Sequence, residues 1–319
     1  MFRRVPKVLI AALLAGSTVP ALAYQATKKS PKSKPAAADG RDTVLVVVNG
    51  HKVTQADLNR KMRTLQIPEN EREAAWRPQL ERIVDERLIQ QFLASRKIAA
   101  TKQEIDVPVN QIREEARKSG SDPDRYLAEK GYTVESLREE FALPIAWKHF
   151  VDKAIPQARL KKYFDEHRAE FDGTTVRSSQ IVIKVPRNDD EARRAAEAKL
   201  AALRKEIVAG RISFEQAARE NSQSPSKDDG GDVGWFPYTG KMPLQLTREV
   251  FRLKVGEVSQ PFRTSWGVHL CLATDRKPGD LSLEDVRDEV LARMSQELWN
   301  EQIAELRKSA KIEWKVDTP

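Results

Sequence analysis

Residues 221–273, NSQSPSKDDGGDVGWFPYTGKMPLQLTREVFRLKVGEVSQPFRTSWGVHLCLA, decide how this chain is read. Gly230, Gly231 and Gly234 supply permissive backbone directly before Trp235 and Phe236, two large apolar anchors. The stretch reads as a glycine turn, an aromatic step and a short amphipathic piece through Val250, Phe251, Leu253 and Val255. A turn at Gly256-Glu257 then leads to a β-rich closing run, Val268 to Leu272. Upstream, Val176 to Val185 predicts a strand stopped by Pro186. Asp190 to Ala209 predicts an amphipathic helix ended by Gly210, and Ser213 caps a shorter helix that turns Phe214, Ala217 and Ala218 inward. The resulting order, β-α-α-turn-α-β-β, defines an α+β module over residues 174–277.

Downstream, Ser282 opens a long helix with the apolar stripe Leu283, Val286, Val290, Met294, Leu298, Ile303 and Leu306. The module is already complete, so this face needs another groove. The tail Lys311 to Val316 alternates like a half-buried strand without a neighbour, and so does the β-branched run Val44 to Val48 near the start. Pairing the two returns the tail to the N-terminal region. The expected architecture is a mainly helical domain, residues 43–171 completed by 280–317, with the α+β module inserted.

The N-terminal region reads as a helical series. Asn49-Gly50 is a turn dipeptide and Thr54 caps a helix through Leu58, Met62 and Leu65. A long stripe follows from Trp76 to Phe92, with Pro78 either kinking or starting its helix. Thr101-Lys102-Gln103-Glu104 is a capping box, and Asp122-Pro123 opens a short helix. Helical patterning continues from Thr133 to Phe150 and from Gln157 to Phe171. His51, His149 and His167 have no neighbours at metal-ligand spacing.

The chain has 319 residues, enough for two domains. Its formal charge of +8 is concentrated at the start: the leader holds Arg3, Arg4 and Lys7, and residues 24–42 hold a basic surplus of three, leaving about +2 after Asp42. That balance argues against nucleic acid as the main ligand. The basic start, the apolar run Val8 to Ala15 and Ala21-Leu22-Ala23 predict a secretory signal peptide, residues 1–23, cleaved after Ala23. Residues 24–42 read as a disordered linker, compatible with weak attraction to anionic lipid. Once the leader is removed, no membrane-spanning segment is expected. Cys271 is the single cysteine and reads as a small buried hydrophobe.

The 221–273 stretch resembles the parvulin peptidyl-prolyl isomerase family. Ser179-Gln180-Ile181-Val182-Ile183 falls where that family has a strand close to SHILI, and Thr264-Ser265-Trp266-Gly267-Val268-His269 falls on its T-x-x-G-x-H pattern. The resemblance implies His269 and Thr264 as catalytic-site residues. Gln180 replaces the family's first histidine and Ser224 its usual Cys or Asp. A proline cup of Met242, Leu246 and Trp266 is implied, with Leu246 where a Phe is usual. VVNGHKVTQADL and the helices after it resemble the N-terminal region of SurA- and PrsA-type export chaperones. The implied activity is cofactor-free prolyl isomerisation and chaperoning of unfolded, proline-containing exported polypeptides in the periplasm; a homodimer is compatible with it. The Gln180, Ser224 and Leu246 departures keep a second reading open, a holdase whose module binds peptides with little turnover. The loop Pro186 to Glu191 lacks the basic cluster that phosphopeptide recognition requires.

Overall fold

A computed structural model describes residues 43–186 and 188–316. The segments read as a signal peptide and a linker, together with Arg187 and residues 317–319, lie outside the described residues. Among those described, the chain forms two compact units, one of residues up to 154 together with those from 296 onward, the other of residues 155–295.

In the first unit, β1 (Val44–Val48) and β2 (His51–Thr54) form a hairpin. Its turn residues Asn49 and Gly50 both have positive φ, 49° and 84°, the geometry that makes Asn-Gly a hairpin dipeptide. The other edge of β1 pairs antiparallel with β7 (Ile312–Trp314), so the two unpartnered runs of the sequence complete one three-stranded sheet in the order β2-β1-β7. Trp314 is fixed further by the Arg77 guanidinium, 3.7 Å from its ring centroid.

Five helices follow β2: α1 (Gln55–Thr64), α2 (Arg72–Ser95), α3 (Lys102–Lys118), α4 (Pro123–Glu129) and α5 (Val134–Ala154). Full capping boxes start α1 at Thr54 and α3 at Thr101, each contributing about 1 kcal/mol. Pro78 neither opens nor ends α2; it lies inside a helix that already begins at Arg72. Leu45, Val46, Leu58, Leu80, Val84 and Leu88 form the core beneath the sheet, and Ile303 and Leu306 of the C-terminal helix pack against it. Arg307 clamps that helix to α2 through Glu81 and Asp85, at 2.8 and 2.6 Å.

The second unit begins with α6 (Gln157–Glu166) and the short α7 (Arg168–Phe171). The module follows as β3 (Thr175–Lys184), α8 (Asp190–Val208), α9 (Phe214–Asn221), β4 (Asp232–Pro237), α10 (Leu244–Arg252), β5 (Phe262–Thr264) and β6 (Gly267–Lys277). Its antiparallel sheet has the order β4-β3-β6-β5. The helix α11 (Leu283–Ser309) starts in this unit and ends in the other.

One part of the sequence reading needs correction. The expected glycine turn falls at Gly230 and Gly231, both with positive φ, but DVGWFP, read only as an aromatic step, is a strand, β4, paired along β3 from Thr175↔Pro237 to Ser179↔Asp232. Gly234, opposite Ser178 at φ 72°, stands at a register shift between Ser178 and Ser179. Gly231, at φ 86°, lies so close to β3 that a Cβ there would stand 2.5 Å from the Gln180 carbonyl oxygen.

The sheet buries both faces. Ile181, Val268 and Leu270 pack against Leu200, Phe214, Ala217 and Ala218 of α8 and α9. On the opposite face Val176, Cys271 and Ala273 pack with Phe236, Leu246, Val250 and Phe251 around α10. This alternation along β6 places His269 on the Cys271 face.

Candidate functional site

The central pair β3–β6 sets the site. Gln180 lies opposite Cys271 and Val182 opposite His269, so Gln180 and His269 are diagonal neighbours on one face. His269 Nδ1 lies 3.3 Å from Gln180 Oε1, and its Nε2 lies 2.7 Å from Thr264 Oγ1 at the end of β5. Gln180 Nε2 donates to Ser224 Oγ at 3.2 Å, and Ser224 Oγ lies 3.1 Å from Ser226 Oγ. The four residues expected at the catalytic position therefore join in one hydrogen-bonded chain.

Burial defines the electrostatics of that chain. His269 is 1% exposed, Gln180 9% and Ser224 8%. Desolvation of the imidazolium pulls the His269 pKa down to about 4, so the ring is neutral at physiological pH. Burial pushes the Cys271 thiol up, which makes it an inert packing group as its sequence context suggested.

The expected cup residues are distributed unequally. Leu246 is 1% exposed and lies inside the core around α10, with Met242 packed against the same cluster and itself half-buried. Trp266 is 57% exposed at the β5–β6 hairpin tip, held by its backbone N–H donating to Thr264 Oγ1 at 3.1 Å.

Phe262 was missed. It stacks on the His269 ring, centroids 5.4 Å apart and planes 19° apart, and packs against the Met242 and Leu246 cluster. The available signal was its spacing: two residues before Thr264 on a strand, it shares Thr264's face. Ser222 and Ser226 were also missed. Ser222 Oγ accepts the backbone N–H groups of both Val182 and Ser224 at 3.1 Å, which ties the loop after α9 to β3.

The arrangement holds a neutral imidazole, an amide and hydroxyls beside an apolar wall of Phe262 and Met242. Such a set can orient and partly desolvate a polar planar group, and it offers no nucleophile activated by a charged base. Among the described residues no cluster of His, Cys, Asp or Glu is arranged to hold a metal ion.

Residues 181–275 match the family model described as a PPIC-type PPIASE domain, so this module is a parvulin-type domain. The match begins one residue after Gln180. Over 255 residues the chain is 28% identical to the foldase protein PrsA of Geobacillus kaustophilus, covering 79% of this chain and 77% of that protein. It is 23% identical to PrsA of Clostridium botulinum (strain Loch Maree) over 89% of this chain and 90% of the relative. It is also 33% identical over 148 residues to the chaperone SurA of Xanthomonas euvesicatoria, covering 45% of this chain and 31% of that one. These similarities support a parvulin-type foldase of the PrsA and SurA kind.

Proposed function

We propose that this chain is a peptidyl-prolyl cis-trans isomerase and folding chaperone that acts on unfolded, proline-containing polypeptides after export to the periplasm. The hydrogen-bonded chain Thr264–His269–Gln180–Ser224 inside a matched parvulin-type module is the observation that carries the reading. Rotation about an X-Pro amide meets a barrier of about 20 kcal/mol, breaks no bond and uses no cofactor. Stacking the proline ring against an apolar wall leaves the amide poorly solvated, and fixed polar groups then favour its twisted form. Phe262, Met242 and the exposed Trp266 are proposed as that wall, with Leu246 supporting it from behind. The helical unit is proposed to hold non-native segments. The leader, read as a signal peptide cleaved after Ala23, supports the periplasmic assignment. No helix among the described residues is long and apolar enough to cross a membrane.

A protease-coupled assay on a proline-containing peptide tests the isomerase, and suppression of aggregation of an unfolded client tests the chaperone. Turnover well above the uncatalysed rate is expected. Turnover at background with aggregation still suppressed would reduce the protein to a holdase, the reading that Gln180 in place of an imidazole favours.

A further inference from the structure

The hydrogen bonds through the site run in one direction. Gln180 presents Oε1 to His269 and Nε2 to Ser224. A carbonyl oxygen only accepts, so the proton of the neutral His269 ring must sit on Nδ1 and leave Nε2 as an acceptor. Thr264 then donates its hydroxyl hydrogen to Nε2, and their 2.7 Å separation is typical of a hydroxyl donor. Thr264 Oγ1 in turn accepts the Trp266 backbone N–H.

At the other end, Ser224 Oγ accepts twice, from Gln180 Nε2 at 3.2 Å and from the Ser226 backbone N–H at 3.3 Å. Both lone pairs are used. The hydroxyl retains only its capacity to donate, which Ser226 Oγ satisfies at 3.1 Å.

Building on the isomerase reading above, we propose that Gln180 sets the polarity of this chain so that Ser224 meets the substrate solely as a hydrogen-bond donor, directed at the prolyl nitrogen. As the amide twists, resonance is lost and a lone pair localises on that nitrogen. A donor there binds the twisted amide more strongly than the planar one, as transition-state stabilisation requires. No proton is transferred: the Ser224 hydrogen bond moves from Ser226 Oγ to the prolyl nitrogen and returns. Ser224 is then the catalytic residue, Gln180 and His269 are positioning residues, and Ser226 is the resting partner of the donor.

Nuclear magnetic resonance of the full chain with ¹⁵N-labelled histidine tests the polarity directly. The chain has four histidines, and the His269 signal is identified by its loss in His269→Gln. The Nδ1–H tautomer is expected; an Nε2–H tautomer overturns the proposal. Ser224→Ala should lower kcat about tenfold at unchanged KM, the effect of one hydrogen bond made only in the transition state. Gln180→Glu supplies a carboxylate that accepts from both neighbours and captures the Ser224 hydrogen. Its kcat should fall as far, and the double variant should fall little further. Wild-type kcat in either single variant overturns the donor role alone. Background turnover in the unaltered protein would defeat the isomerase reading and the donor role with it.

Discussion

Acidification from pH 7 to pH 5 should weaken the parvulin-type module through protonation of His269. Its ring titrates near 4 in the folded state and near the ordinary 6.5 once unfolded. Between those values the unfolded chain binds a proton that the folded one refuses, so stability falls as pH falls. The stabilisation is fully present above pH 6.5 and fully lost below about 4. At about 1.4 kcal/mol per pKa unit, the whole effect is about 3 kcal/mol, of which about 2 kcal/mol is lost by pH 5. Hydrogen exchange at the β3 and β6 amides, corrected for the intrinsic rate, reads this opening free energy within the module and independently of the helical unit. His269→Gln keeps a hydrogen-bonding side chain and removes the titration. The unaltered protein should therefore lose about 2 kcal/mol more than the variant over this range. Equal losses in the two would show that His269 is not held neutral by burial, and the site's electrostatics would have to be redrawn.

Three further outcomes follow from the geometry. Turnover should stay flat from about pH 6 to pH 9, because Thr264, Gln180 and Ser224 do not titrate there and His269 is already neutral; a step in kcat near pH 6.5 would contradict this. Gly231→Ala should destabilise the module by about 3 kcal/mol in urea unfolding, since it forces a Cβ within 2.5 Å of the Gln180 carbonyl at a φ of 86°. Unaltered stability there would mean that β4 can be re-spaced along β3 without cost. Truncation after Ser309 removes β7 and the Trp314 ring under Arg77, exposing one edge of β1. Protection of the β1 amides should drop by about 2–4 kcal/mol, and full retention would show that β7 is dispensable.

Legibility in the sequence followed the range of the physics involved. Capping at Thr54, Thr101 and Ser213 rests on side chains three residues from their targets, so those helix starts could be read directly. The β1–β7 pairing is non-local, yet it was accessible because each run read as a strand with no evident neighbour in the sequence; β1 in fact pairs with β2 on its other edge. β4 was legible only as an aromatic step, because it follows the Gly230-Gly231 turn directly and carries Gly234 inside it, which weighs against a strand. What makes it one is pairing with the β3 backbone, and the turn before it can lie that close to β3 because Gly231 carries no Cβ. The site shows the same division. A motif named Thr264 and His269 together, the β5–β6 hairpin brings them into contact, and only the register of β3 against β6 could bring Gln180 to His269. Leu246 shows the limit of reading a side chain by its class: an apolar residue on α10 suits a cup lining and a core equally well, and the helix orientation buries it.

Gln180 is thereby given a different weight from the one its letter suggests. As a replacement for an imidazole it looks like a loss of function. Within the folded module its acceptor and donor are separate atoms, Oε1 toward His269 and Nε2 toward Ser224, so neither titration nor rotation of a hydroxyl can exchange them. A histidine at that position could carry its proton on either ring nitrogen, so the direction of the hydrogen bonds would be free to reverse. The carboxamide has fixed ends, and with a buried neutral His269 beside it the direction holds across the pH range in which exported proteins fold. Gln180→His should therefore introduce what the native site lacks, a kcat that changes with pH around 6 to 7, while peptide affinity is retained. A pH-independent kcat in that variant would show that the direction is set elsewhere, with the backbone N–H groups of Ser226 and Trp266 as the remaining fixed donors.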